Sequence, residues 1–244
     1  MPNKYRRFSE TSVSERLLDS MFLATIGLAY LFALVHMYYS HQGRDGETGL
    51  SVKDVEIAYY GQSQKTRLGA ALDGAMADNL ESPEQKKIIE NWLKTGKTQE
   101  GFNQHVAPIL NNNCIACHSA ESGMGLPPLT SFKAVQELTH TDSGASVQSL
   151  VRVSHIHMFG IAFILFFVGR IFILCEMKPW LKRAVVVIPF VAMLIDIFSW
   201  YITKIIPGFS YVVVLSGALM GISLAVQIIT SLYQMWFFKG DKNA

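Results

Sequence analysis

The chain has 244 residues, half of them hydrophobic and 16% charged, with a formal net charge of +2. A near-neutral balance without a basic stripe interleaved with aromatics argues against a nucleic-acid partner, and three cysteines, two of them in one short motif, do not make a disulfide framework. The apolar residues are unevenly spread: the stretch from about 43 to 151 is polar, while its flanks hold apolar runs too long for a small soluble core.

The first run, Met21 to Tyr39, is close to the roughly 20 residues needed to cross a bilayer. Tyr30, Tyr38 and Tyr39 supply interfacial aromatics toward its end. Its apolar core is long for a signal peptide, and Met37-Tyr38-Tyr39-Ser40-His41 is a poor small-residue cleavage site, so we read an uncleaved signal anchor. Further on, Ser51-Val52-Lys53-Asp54 and Ser82-Pro83-Glu84-Gln85 each read as a helix start. Both have a capping serine with an acidic or amide residue three places on, and the second has proline at its first position. Ile88, Ile89, Trp92 and Leu93 recur at helical spacing, and Gly96 is a natural stop. This region reads as a helical extension with no ligand set of its own.

Cys114-Ile115-Ala116-Cys117-His118 carries the chemistry. Cys-x-x-Cys-His is the attachment signature of c-type haem. Two thiols within one turn add across the two vinyl groups, and the adjacent imidazole then lies under the iron as proximal ligand. A structural zinc site needs a second Cys or His pair at matching spacing, and no second Cys-x-x-Cys exists. A thioredoxin-like motif needs a βαβ context that the flanks lack.

Around this motif the chain resembles a small class I cytochrome c domain, over about Phe102 to Val153. Phe102, Val106, Pro108, Ile109 and Leu110 resemble the helix leading into the haem site. Gly125-Leu126 and Leu129, then Ser131-Phe132-Lys133-Ala134-Val135, resemble its loop and following helix, and Ser149-Leu150-Val151-Arg152-Val153 its last helix. The resemblance implies one covalent haem c on Cys114 and Cys117 with His118 as proximal ligand. It also implies a sixth ligand, usually methionine, after the last helix. That slot here reads His155-Ile156-His157-Met158, which departs from the family pattern.

Three more apolar runs follow, about 153–175, 184–202 and 210–238, the last two separated by Pro207-Gly208. Positive residues in the short segments set the orientation. Lys4, Arg6, Arg7 and Arg16 precede the first run. Arg170, Lys178, Lys182 and Arg183 surround the junction of the second and third, and Lys239 and Lys242 follow the fourth. The segment joining the third and fourth offers only Lys204. Four crossings with both termini cytoplasmic fit this pattern and put the polar segment outside, where haem is attached in bacteria.

His36, His155 and His157 fall at similar depth near the outer surface, and a histidine within a span is a functional candidate by default. Each also has an ordinary reading as an interfacial ring bonded to nearby backbone. His155, then His157, is the expected distal ligand, or His36 and one of the pair bind a second, non-covalent haem b or copper. His155 and His157 lie roughly 200° apart around a helix, so a shared ligand is awkward. Met124 is too close to His118 to pass around the porphyrin edge, His140 and Met158 are weaker candidates, and His105 has the place of an ordinary helix residue. Asp196, an intramembrane carboxylate, suits proton handling, quinone contact or a structural hydrogen bond to Ser199 or Ser216. Gly217 and Gly221 form a G-x-x-x-G packing face. Gln227, Thr230, Ser231 and Gln234 make the inner half of the last span polar, which suits contact with another helix, of this chain or of a partner subunit. Cys175 reads as a small buried hydrophobe.

The expected fold is all-α: four transmembrane helices with a periplasmic helical cytochrome c domain inserted between the first and second. Its parts are a cytoplasmic tail (1–20), a first span (21–39), the haem domain (40–152), further spans (153–175, 184–202, 210–238) and a cytoplasmic tail (239–244). The expected function is one-electron transfer in a bacterial respiratory chain, at the inner membrane. Expected partners are other membrane subunits, a periplasmic electron carrier and the lipid bilayer. Two alternatives stand beside it: a quinol-oxidising subunit with an additional haem b, metal or quinone near His36, His155 and His157, and a haem-based sensor or assembly subunit.

Overall fold

A computed structural model describes residues 6–74, 76–124 and 126–238; Lys4, Gly125, Lys239 and Lys242 lie outside the described residues. Among the described residues every regular element is helical, with a lone antiparallel bridge between Thr66 and Thr141. The long helices are α1 (Val13–His41), α8 (Val147–Phe172), α9 (Pro179–Thr203) and α10 (Ser210–Trp236). All four are long and apolar enough to cross a membrane. The short ones are α2 (Val52–Tyr60), α3 (Arg67–Asp73), α4 (Pro83–Lys94), α5 (Gln99–Gly101), α6 (Ala107–Asn113) and α7 (Phe132–Glu137). The chain divides into two compact units, one from Met37–Ser146 with Thr203–Pro207, the other from the rest.

In the polar unit, Ser51 caps α2 as its sequence promises: its hydroxyl accepts from the Asp54 N–H while the Asp54 carboxylate accepts from the Ser51 N–H. Ser82 behaves differently. Pro83 occupies the first position of α4, but the Ser82 side chain makes no cap. Gln85 turns back instead, accepting from the Glu81 N–H and from Asn113. The helix ends at Lys94, and Gly96 follows with φ of 106°. α5, a π-helical turn (Phe102–Val106) and α6 run on without a break. The wide turn lies just before Pro108, which has no N–H to offer the preceding turn and whose ring crowds it.

These elements share one core. Leu68 and Leu72 of α3 and Ile89 and Trp92 of α4 pack with Phe102, Val106, Ile109, Leu110, Leu129 and Val135. Residues 67–94 therefore supply four of the ten buried residues of this core, so the extension packs directly on the segment that carries the motif. Burying Leu110 or Ile89 completely is worth about 1.5–3 kcal/mol each. The Trp92 indole N–H also donates to the Thr98 carbonyl at 3.0 Å.

The same unit is closed by a backbone clasp. The segments around 58–68 and 138–145 exchange hydrogen bonds, including Arg67 N–H to His140 carbonyl at 2.9 Å and Ala145 N–H to Ala58 carbonyl at 2.9 Å. Gly61 and Gly144 sit where they meet, both at positive φ, and a Cβ on either would run into the backbone of the other segment. The Lys204 ammonium spends its three donors on the carbonyls of Tyr59 (3.2 Å), Ser143 (2.9 Å) and Ala145 (2.6 Å). Burial pulls this lysine below its ordinary value, against the pull of Asp142.

In the other unit, Leu23, Leu165, Val168, Phe172, Leu224 and Met235 form the centre of the helical bundle. Ser216, Ser223, Gln227 and Ser231 of α10 are buried in it. Pro189 interrupts α9 and leaves the carbonyl of Val185, four residues back, without its helical donor. The buried amide of Gln227 on α10 donates to that carbonyl at 2.9 Å. Gln234 pairs with both backbone groups of Glu176, and Ser231 lies 3.6 Å from the Cys175 sulfur. Gln227, Ser231 and Gln234 on the polar half of α10 thus meet other segments of the same chain, the helix contact their polarity suits. Cys175 is buried, as expected. Gly221 makes room for the Tyr30 hydroxyl, whereas Gly217 has open space around it. One glycine of the pair is therefore used, and Tyr30 is a packing residue of the bundle, in place of the interfacial aromatic expected.

The amino ends of three long helices lie ahead of the bounds read in sequence. α1 begins at Val13, eight residues before the apolar run, and α9 at Pro179. The difference that matters most for the site is at α8, which starts at Val147. Ser149–Val153, expected as the last helix of the haem domain, is instead the first part of a 26-residue membrane-type helix. Hydrogen-bond continuity does not stop where hydropathy changes, so a helix outruns its apolar segment.

Candidate functional site

The motif starts where α6 stops. Cys114 takes the position after Asn113, its N–H bonded to the Leu110 carbonyl at 2.8 Å. The chain then turns back on itself, with Cys117 and His118 N–H groups both directed to the Cys114 carbonyl, at 3.1 and 2.9 Å. One turn so carries both thiols and the imidazole. Ser122 Oγ, 2.8 Å from the Cys117 carbonyl, closes the far side. The two cysteines are not paired in a disulfide: Cys114 is half-buried against the core that Leu110 anchors, and Cys117 is exposed. Burial and the neighbouring Cys117 push the Cys114 thiol up.

His118 is oriented by its backbone and by its ring. The Leu129 N–H donates to its carbonyl at 2.9 Å, and its Nδ1 lies 2.8 Å from the Pro127 carbonyl. A carbonyl can only accept, so Nδ1 carries the proton and Nε2 keeps its lone pair. The carbonyl itself is held still, because Pro127 and Pro128 have restricted torsions and Leu129 is buried in the core. A fixed tautomer with Nε2 available is what a neighbouring group does to orient a metal-binding histidine. Two thiols on one turn and one such imidazole form the donor set a covalently attached haem takes. Pro127 escapes the sequence reading, although a Pro-Pro pair shortly after Cys-x-x-Cys-His is a visible signal of a rigid carbonyl.

The remaining candidates are scattered. Met124 is exposed, its N–H near Ser122 Oγ, and His105 is exposed on the π-helical turn. His140 is exposed, 3.8 Å from Glu137. His155, His157 and Met158 all lie on the continuous helix α8, so the slot after a last haem-domain helix does not exist as a separate loop. His155 is exposed. His157 has Nδ1 3.0 Å from the Val153 carbonyl and its ring edge-on to Trp200 at 5.6 Å. His36 is exposed on α1. Among the described residues no three His, Cys, Asp or Glu side chains gather as a metal-ion set.

Asp196 stands half-buried on α9. Its Oδ1 accepts from Ser216 of α10 at 3.3 Å, and Trp200, one turn along, also hydrogen-bonds it. Ser199 bonds its own helix at Ile195 instead. The structure therefore joins Asp196 to Ser216 and Trp200 by hydrogen bonds, and the His157 ring packs edge-on against Trp200.

A family model described as a transmembrane helical domain matches residues 138–243, which include α8, α9 and α10. No curated protein and no solved structure matches the chain. With four helices of membrane-crossing length and composition, the chain is a membrane protein in contact with the lipid bilayer.

Proposed function

We propose that this protein is a membrane-bound c-type cytochrome carrying single electrons in a bacterial respiratory chain, as a subunit of a larger membrane complex. The observation that carries the reading is His118, whose Nδ1 is tied to Pro127 so that Nε2 faces away as a lone-pair donor, on the turn that holds Cys114 and Cys117. Cys114 and Cys117 would hold haem c through thioethers, with His118 as proximal ligand. A bound haem supplies a one-electron iron couple. The chain's own residues fix the imidazole tautomer, bury one side of the attachment turn against Leu110 and Leu129, and set how much water reaches it. His155, or else His157, would supply the second iron ligand. The polar unit faces the periplasm with both termini cytoplasmic at the inner membrane, donating to or accepting from a periplasmic carrier.

The test is a pyridine haemochrome spectrum of the purified chain with haem-to-protein stoichiometry. We expect one haem c per chain that survives acid–acetone extraction, and its loss in the Cys114→Ser/Cys117→Ser double variant. A colourless extracted polypeptide would overturn the reading.

The bonded Asp196–Ser216–Trp200 chain favours a second reading, a quinol-oxidising subunit with a further haem b or quinone. That reading requires a haem b band beside the haem c band, or quinol oxidation that falls in Asp196→Asn; a single haem species with unchanged turnover in that variant would remove it.

A further inference from the structure

At one end of the bundle lies a groove of about 1190 Å³, between the start of α1, the end of α8 and the start of α9. It is larger than the roughly 300–1,000 Å³ of a small-molecule pocket. One wall is apolar, with Phe22, Phe167 and Leu174; the rim carries Arg6, Arg7, Arg170, Lys182 and Arg183. Three acids also line it, and two of them are engaged: Glu15 pairs with Arg6, and Glu176 with Arg7 at 3.1 Å. Lys182 caps the Ile173 carbonyl at 2.9 Å with one of its three donors. Arg170 and Arg183 are exposed and, among the described residues, make no hydrogen bond or ion pair with any other. The amino end of α9 at Pro179 opens on the same groove and adds the positive end of a 25-residue helix dipole. Trp180 beside it is 67% exposed, an aromatic of the kind that lies at headgroup depth.

Apolar walls that run up to uncommitted guanidinium groups suit a molecule with hydrocarbon below and a phosphate above. We infer that this groove seats one anionic phospholipid, its phosphate on Arg170 and Arg183 and its acyl chains along Phe22 and Phe167. Guanidinium forks match phosphate oxygens bidentately. Basic pockets at the ends of membrane helices select anionic headgroups by charge. The assignment is independent of haem attachment.

The full-length protein, delipidated in detergent, is titrated with dioleoylphosphatidylglycerol or dioleoylphosphatidylcholine and followed by native mass spectrometry. The expected result is binding of the anionic lipid tighter by about tenfold or more, collapsing to the level of the zwitterionic lipid in Arg170→Gln/Arg183→Gln. Arg170→Lys/Arg183→Lys keeps most of the preference, because the charge remains. Equal binding of the two lipids, or a preference unchanged in the glutamine variant, overturns the site. Inorganic phosphate that displaces the lipid at equal concentration overturns the lipid assignment in favour of a free anion. If the glutamine variant melts early, the wild-type protein decides alone: a preference that high salt does not weaken is not carried by these arginines.

Discussion

The two units of this chain solve the same packing problem in opposite solvents. In the polar unit the interior is apolar, built on Leu68, Ile89, Trp92, Val106 and Leu110. Its backbone loops are tied by charge, as where Lys204 holds three carbonyls. In the bundle the outer surface is apolar, with Phe159, Leu215 and Ile229 each more than 60% exposed, while Ser216, Ser223, Gln227 and Ser231 are buried. Water drives apolar groups together in the first unit. Lipid offers no such drive in the second, so close contact and inward hydrogen bonds have to hold the helices. The difference teaches that a residue's value depends on which solvent its outside faces.

Leucine truncation gives the sharpest contrast. Leu110→Ala, in the polar unit, is expected to cost about 2–5 kcal/mol, since it opens a cavity in a closed core. Leu215→Ala, 68% exposed on α10, is expected to cost about 0.5 kcal/mol or less, because lipid replaces the contact. Thermal unfolding of both variants in the same detergent checks the pair; equal losses would break the comparison. Lys204→Met comes next, at about 1–3 kcal/mol, because it strips the shared donor from three carbonyls. Protease sensitivity near residues 59–61 and 143–145 should rise with it. In the bundle, Gln227→Leu is expected to cost about 1 kcal/mol, and close to nothing in a Pro189→Ala background, where the Val185 carbonyl regains its helical donor. A double-mutant cycle without coupling would refute that pairing.

The smallest effect is electrostatic and belongs to the polar unit. Burial pushes the Asp73 carboxyl up, but Lys65 and Lys86, each 2.7 Å away, outweigh it and hold the group below the usual carboxylate range. A depressed folded value gives stability that is fully present above the unfolded value of about 3.9 and is lost as pH falls through the folded value. Acid titration should therefore melt the polar unit less steeply in Asp73→Asn than in the wild type.

Much of this was legible residue by residue. Four apolar runs announce four membrane-type helices, because the length of a bilayer-crossing helix is set by bilayer thickness. Ser51 and Asp54 announce their cap, because that exchange is closed within four residues. Cys114 to His118 announce their turn for the same reason. The failures lie where a distant partner decides. Ser82 loses its role to Gln85, which Asn113 also engages. The polar face of α10 asked for another helix without saying which, and Val185 and Glu176 of the same chain claim it. Lys204 looked like a lone topological charge, and its three acceptors lie about 60 and 145 residues away in sequence.

Composition and local spacing by themselves determined the helical class, the number of membrane-type helices and the turn from Cys114 to His118, since each depends on contacts within a few residues or on bulk transfer from water. Only the tertiary structure decided which carbonyl orients His118, which helix Gln227 serves and that α8 runs unbroken from Val147. Those outcomes depend on hydrogen-bond partners and packing surfaces that meet after the chain has folded, and no pattern along the sequence encodes their distance.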